Sequence, residues 1–337
     1  CRVFHSFIHS FTHSFLRPPS TLANAVFMDP ERPKISLIIL TYNRAHLVET
    51  AIESVLGQTY RDFELIIVNN GSEDHTAEVL KKYEGHEQVR LFHLEKNRGF
   101  KGGINYAFGL IRGEWFSSIG DDDRLAPETF EVMMRVPEEV DPTIDAITCN
   151  AIDTATGRLS GRGLDRDQYL PIEVIAGQAS GNFWGLTRTE LLGDKRMNEN
   201  LPGHEDTLWY QIDAVANRYY IHKPLKTWNT DHGATETATN RRPDPGIRAR
   251  VYRELLNEPF YLETLKKYNT KRYIGKCLRG MFFLQIAGEA AGVRKYRALL
   301  LEARPDFRTR MLSALIRILS PGLNRRLYKL AFKIKIA

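Results

Sequence analysis

From Ile35 onward the chain repeats one motif: a short apolar, β-branched run, a polar turn, then a stretch with apolar residues at helical spacing. The runs are ISLIILT (35–41), FELIIV (63–68), VRLFHL (89–94) and WFSSI (115–119). Runs of this kind read as strands buried on both faces. Between the first two, Leu47, Ala51, Ile52, Val55 and Leu56 recur at helical spacing until Gly57 stops them, and Asn43 reads as the helix cap. Further helices are expected over Thr76–Tyr83 and from Asn97 to about Ile111. Strict alternation of strand and helix requires right-handed crossovers, so the predicted fold class is α/β, with a mostly parallel sheet covered on both faces. The loops after Leu40, Val68, Leu94 and Ile119 then lie at the carboxyl ends of the strands, where open α/β sheets bind ligands.

The polar signals fall in those loops. The first offers Thr41, Tyr42, Asn43 and Arg44, an aromatic ring with amide and hydroxyl groups suited to a base, and a guanidinium suited to phosphate. After the fourth run come three consecutive aspartates, Asp121, Asp122 and Asp123. Like charges this close cannot all stay ionised in an apolar setting without a counter-cation, which points to a divalent metal; a solvated turn leading into the helix at Pro127 is the plainer alternative. Neither GxGxxG nor GxxxxGK[ST] occurs, which excludes the usual dinucleotide fingerprint and the P-loop.

The second half is more irregular, with strand signal in DAITCN, glycine-rich loops around Gly157–Gly163, and helical spacing from Glu205 through Leu208, Ile212 and Val215. Beyond Pro243 the chain turns helical and basic. From Arg304 to the end it has nine Lys or Arg against one acid, Asp306, while the whole chain carries only +6. A near-neutral body with a basic, apolar tail argues against nucleic acid as partner and towards an anionic membrane surface. No uninterrupted apolar run is long enough to span a bilayer. Three widely separated cysteines argue against a disulfide framework and fit a reducing compartment. At the start, His5, His9 and His13 recur in a low-complexity repeat that reads as a metal tract, an interfacial helix or a non-native extension.

Five segments in order, ISLIILTYNR, VNNGSEDHT (68–76), NRGFKGGINYAFGLIRGEW (97–115), GDDDRLAP (120–127) and GHEDTLWYQ (203–211), resemble the family 2 glycosyltransferases of GT-A fold. The resemblance covers residues 34–235. It implies a catalytic domain over 34–240, divided into a nucleotide-binding half (34–125) and an acceptor half (126–240). These lie between a low-complexity extension (1–33) and a helical basic region (241–337). It also implies that Thr41, Tyr42, Asn43 and Arg44 form the nucleotide loop and that Asn70 meets the base edge. The family often has two acids where Asn69 and Asn70 stand, so thymine, uracil and guanine remain open. Lys101 would reach the diphosphate or else stand as a solvated helix-start lysine.

Anchored on Pro127, the resemblance assigns Asp121 to ribose, Asp122 as the main ligand of Mg²⁺ or Mn²⁺ and Asp123 as a second ligand or a supporting acid, with His232 completing the metal or diphosphate site. Asp206 would be the general base and Glu205 an acceptor-positioning acid. Gln211 stands where the family often has Arg. Trp184 and Trp209 read either as core or as an apolar wall for a sugar ring. The implied activity is metal-dependent, inverting transfer of a sugar from a nucleoside diphosphate to a glycan, lipid-linked or other hydroxyl acceptor, in cell-surface polysaccharide or glycolipid synthesis. The expected site of action is cytoplasmic, at the membrane face. A nucleotidyltransferase and an inactive sugar-nucleotide-binding scaffold are the alternatives.

Overall fold

The computed structural model describes residues 32–230 and 244–334; His232 and the His-Ser-Phe repeat lie outside the described residues. The sheet begins with β1 (Ile35–Thr41), α1 (Val48–Leu56), β2 (Phe63–Asn69), α2 (Thr76–Leu80), β3 (Val89–His93), α3 (Gly99–Phe108) and β4 (Trp115–Gly120). There follow β5 (Arg124–Leu125), α4 (Thr129–Glu139), β6 (Ala146–Asp153), β7 (Gln168–Tyr169), α5 (Ile172–Gly177), β8 (Phe183–Arg188), α6 (Thr189–Leu192), α7 (Asp206–Asp213) and β9 (Arg218–Trp228). Helices then take over: α8 (Pro245–Leu255), α9 (Pro259–Tyr268), α10 (Thr270–Ile286), α11 (Ala290–Glu302), α12 (Phe307–Ile318) and α13 (Pro321–Ile334).

Strand order is β3-β2-β1-β4-β8-β6-β9-β5, with β7 against β9. The four strands read from the alternation pair in parallel, and β1 lies between β2 and β4. From β4 the sheet turns mixed, because β8 runs antiparallel to both β4 and β6 while β9 runs parallel to β6. Period-two alternation sorts the core. Ile35, Leu37 and Ile39 pack with Val48, Ile52 and Val55 of α1 and with Phe130 and Met133 of α4. Ile38, on the opposite face, packs with Ile104 and Phe108 of α3 and with Leu208 and Ile212 of α7. Burying each such side chain is worth about 1.5–3 kcal/mol, which is why these strands tolerate almost no polar residue.

A separate core holds the helical region together, built on Tyr252, Tyr261, Tyr273, Met281 and Tyr296. Leu201 and Tyr210, from the segment leading into α7 and from α7 itself, belong to that same core. The helical region is therefore packed against the helix that begins with Asp206.

A charged exception among these apolar strands is Glu64, 4% exposed near the start of β2. It accepts hydrogen bonds from Ser36 on β1 (2.5 Å), Arg90 on β3 (2.8 Å), and Arg112 Nε and Nη2 beyond α3 (3.0 and 2.8 Å). Burial opposes its ionisation, but the hydrogen bonds from Ser36, Arg90 and Arg112 outweigh it and hold the carboxyl below its ordinary value of 4.5. A depressed folded pKa stabilises above the unfolded value and loses that contribution as pH falls through the folded one. Glu64→Gln is thus expected to cost about 3 kcal/mol at pH 7. It should also flatten the decline in stability seen on acidifying below pH 4.5, as read from urea midpoints across pH.

Candidate active site

The loop after β1 is a compact turn. The Thr41 carbonyl accepts from the Asn70 amide (2.9 Å), and Tyr42 is 37% exposed at the rim. Asn43 has φ 53°, a left-handed conformation that Asn tolerates better than most residues. Its Oδ1 accepts from Glu73 N (2.8 Å) and its backbone N–H donates to Ser72 Oγ (3.0 Å). Asn43 therefore ties the first loop to the second and does not cap α1, which starts five residues later. The Arg44 amide donates to Thr76 Oγ1 (3.0 Å), drawing the loop onto the start of α2.

Asn70, expected at the base edge, makes hydrogen bonds within the protein. It is 2% exposed, its Nδ2 donates to Asn97 Oδ1 (3.1 Å) and Gly99 O (3.2 Å), and its Oδ1 accepts from Arg98 N (3.0 Å). An amide can donate and accept at once, and here both capacities go to pinning the entry to α3. The open space at this end is a pocket of about 340 Å³ at the ends of β2 and β3, lined by Asn69, Ser72, Glu73, His93, Lys96 and Asn97.

The three aspartates separate into unlike environments. Asp121 is half-buried, and burial pushes its carboxyl up to about 6, aided by the charge of Asp122 and opposed by the Thr41 hydroxyl and Arg44. Arg44 Nη1 stands 3.8 Å from Asp122 Oδ2. Asp123, expected as a second ligand or a supporting acid, is buried against Lys226 of β9 (2.6 Å) and accepts from Asn229 N (3.0 Å). Its charge is already balanced by an ammonium. Gly120 makes this crowding feasible, since a Cβ there would stand 2.8 Å from Asp122 Oδ1 and 2.9 Å from Asp123 Oδ2. Among the described residues no three His, Cys, Asp or Glu side chains converge as a metal cluster.

The Glu205-Asp206 pair opens α7. Lys101, on α3, does not stand as a solvated helix-start lysine. Its ammonium is buried, donates to Leu201 O (2.5 Å) and lies 3.7 Å from Glu205 Oε1. One helix therefore joins the two groups of residues, with its entry held by Asn70 and its Lys101 beside Glu205. Asp206 Oδ2 accepts from Tyr261 Oη (3.0 Å) on α9 and from Arg272 Nη2 (2.6 Å) on α10. Asp206 Oδ1 is buried and, among the described residues, meets no hydrogen-bond donor. Behind it, burial and Lys276 push His204 down to about 4. The ring is thus neutral near pH 7 and can accept from the Lys276 ammonium at Nε2 (2.7 Å), while Nδ1 faces Pro202 O (3.2 Å). Burial likewise lowers Lys276, to about 8.

Where β4 and β8 diverge beyond their two paired positions, a second cavity of about 340 Å³ opens. Phe116, Ser118, Thr148, Trp184, Trp209 and Lys226 are among its lining. Trp209 stacks on Phe116 (6.4 Å, 18°) and Trp184 Nε1 donates to Ser118 O (2.9 Å). The two readings of these tryptophans are therefore compatible, since both are packed and both wall a cavity. The sequence reading does not single out Tyr261, Arg272, Lys276 and Lys226. No periodicity marks them, and each meets its partner across a long stretch of chain.

Residues 36–189 match the family model for glycosyl transferase family 2. An uncharacterized glycosyltransferase of Rickettsia typhi is 35% identical over 222 residues, 62% of this chain and 68% of that protein. The GalNAc(5)-diNAcBac-PP-undecaprenol β-1,3-glucosyltransferase of Campylobacter jejuni is 29% identical over 203 residues. That alignment takes in 58% of this chain and spans 64% of the Campylobacter protein, less than two thirds of its length. Among solved structures, S. aureus TarS in complex with UDP-GlcNAc superposes with a TM-score of 0.59 at 18% identity, covering 84% of this chain and 90% of that one. At that identity the likeness is one of fold.

The Asp123–Lys226 pair generates a stability prediction. Lys226→Met strands a buried carboxylate and should cost about 3–5 kcal/mol. Adding Asp123→Asn should recover a large part of that loss, as measured by chemical unfolding of both variants.

Proposed function

The chain belongs to glycosyl transferase family 2, and on that premise we propose that this enzyme of GT-A fold transfers a sugar from a nucleoside diphosphate to a hydroxyl acceptor with inversion. The observation that carries the reading is the state of Asp206: one carboxylate oxygen is held by Arg272 and Tyr261, and the other is buried with no donor among the described residues. A buried acceptor atom without a partner costs about 1–3 kcal/mol. A hydroxyl delivered to Oδ1 would relieve that cost and place its proton on a base.

In the proposed reaction the acceptor oxygen attacks the anomeric carbon, its proton passes to Asp206, and the bond from that carbon to the diphosphate oxygen breaks. A single in-line displacement inverts the configuration. Glu205, beside Lys101, positions the acceptor. Tyr42 and the pocket at the ends of β2 and β3 receive the base and ribose side of the donor, Asp121 lies towards ribose, and Arg44 faces the phosphates. Asp121 and Asp122 are adjacent hard-oxygen donors, one already resisting ionisation, a set suited to Mg²⁺ or Mn²⁺. A cation held there would neutralise the departing diphosphate. In this reading Asp123 supports the loop through Lys226, Asp122 is the main metal-facing acid, and Asp121 stands beside it on the ribose side.

A lipid-linked or surface glycan is the proposed acceptor, in line with the undecaprenol-linked substrate named for the Campylobacter relative. Among the described residues no helix is long and apolar enough to cross a membrane. On α12, however, Phe307, Met311, Leu315 and Ile318 are exposed along one face, with Arg308, Arg310 and Arg317 beside them. This face would lie in the plane of an anionic leaflet, at the cytoplasmic side.

Asp206→Asn is expected to bind donor normally while transfer falls by about 10²–10⁴-fold. Excess EDTA should stop the wild-type reaction. Unchanged turnover in the variant removes Asp206 from the mechanism, and full activity in chelator removes the metal. For the membrane face, wild-type protein should sediment with vesicles containing anionic lipid and release in high salt. A Phe307→Ser, Ile318→Ser double variant should stay in the supernatant.

A further inference from the structure

The proposed base is held by groups that lie outside the segment matched by the family model, 36–189. The helix that carries Asp206, DTLWYQID, contains no lysine or arginine. Its Gln211 spends its amide on the Thr207 carbonyl (3.0 Å). The positive charge at Asp206 comes instead from α10, sixty-six residues further along the chain.

We infer that Arg272 is the positioning residue for Asp206, so that the helical region beyond residue 241 is a working part of the active site. This rests on the reading of Asp206 as base. The guanidinium makes two contacts, Nη2 to Asp206 Oδ2 (2.6 Å) and Nη1 to the hydroxyl of Tyr210 (3.0 Å), one turn along α7. Tyr210 stacks on Tyr261 (5.6 Å, 27°), and Tyr261 donates to the same Oδ2 (3.0 Å). Two donors from two helices on one oxygen fix the carboxylate plane, and the remaining oxygen, Oδ1, is directed by default.

The hold is itself anchored. Asn269, the cap of α10, accepts from the Arg272 amide (3.1 Å) and donates to Ala176 O (2.9 Å) at the end of α5. Lys276, one turn further on α10, sits over the Tyr261 ring (5.6 Å) and against His204 (2.7 Å). Arg272 is also the exposed member of this group, its side chain 42% accessible against 23% for Asp206. Because part of its side chain is solvated, the thermal midpoint can be used to separate a positioning effect from a folding effect. Arginine rather than lysine is suited to the place, since a planar fork can meet Asp206 and Tyr210 together and a point charge cannot.

The experiment compares Arg272→Met, Arg272→Lys and Asp206→Asn with wild type, measuring kcat, donor KM and the thermal midpoint. Arg272→Met should lower kcat about 10- to 100-fold, as a displaced catalytic group does, with donor KM and midpoint near wild type. Arg272→Lys should regain part of that rate. Wild-type kcat in Arg272→Met beside an inactive Asp206→Asn overturns the role of Arg272 and leaves Asp206 as base. Wild-type turnover in Asp206→Asn overturns the underlying reading, and this inference with it. An Arg272→Lys enzyme no faster than Arg272→Met also overturns it. Should Arg272→Met melt, Tyr261→Phe deletes one hydroxyl from the same oxygen; unchanged kcat there counts against the clamp and a several-fold fall supports it.

Discussion

Everything in this structure is hung on β1, a strand with no exposed edge. It hydrogen-bonds in parallel to β2 on one side and β4 on the other, and six of its seven residues are buried. Parallel pairing on both sides forces each connection to cross over the sheet and return, so every strand of this half ends at the same rim. The first loop, the Asn69–Asp74 turn, the entry to α3 and the aspartates are gathered there for that reason alone. The site is a consequence of topology before it is a matter of particular side chains.

A second regularity concerns buried charge. Glu64, Asp123, Asp206 and Asp213 each sit in or beside the core, and each meets a cation from a different element: Arg90 and Arg112, Lys226, Arg272 and Arg218. Taking a carboxylate wholly out of water, as for Glu64, Asp123 and Asp213, is tolerable only with such a partner, whereas Asp206 keeps part of its exposure. Three of these pairs join elements distant in the chain, so they also register the sheet against the segments that follow it. In the case of Asp206 the same contact orients a proposed catalytic group, and structural and chemical roles fall on one atom.

The alternation of runs and helical stretches was legible as far as the aspartates because period-two and period-3.6 patterns are local properties. The strands lie within a residue or so of the expected bounds, and Gly57 does end α1. Past β4 that logic weakens, since β8 and β9 join the sheet in mixed directions that no alternation announces. Individual roles at the site were less legible than its location. Asn43 read as a cap and is a loop tie, because its left-handed backbone turns the amide towards residues 73 and 74. Asn70, expected at the base edge, also pins α3, and Asp123, expected as a second ligand or a supporting acid, faces an ammonium.

What the sequence determined by itself was the class of fold, the rim at which chemistry gathers, and the membership of a glycosyltransferase family. These depend on residue order and spacing, which the chain carries openly. What only the tertiary structure decided was which of three adjacent aspartates is already neutralised, which way Lys101 turns, and that the acid opening α7 is gripped from α9 and α10. Those outcomes depend on which charges come within a few ångströms after packing. Residues separated by sixty or a hundred positions leave no local pattern to show that they will meet.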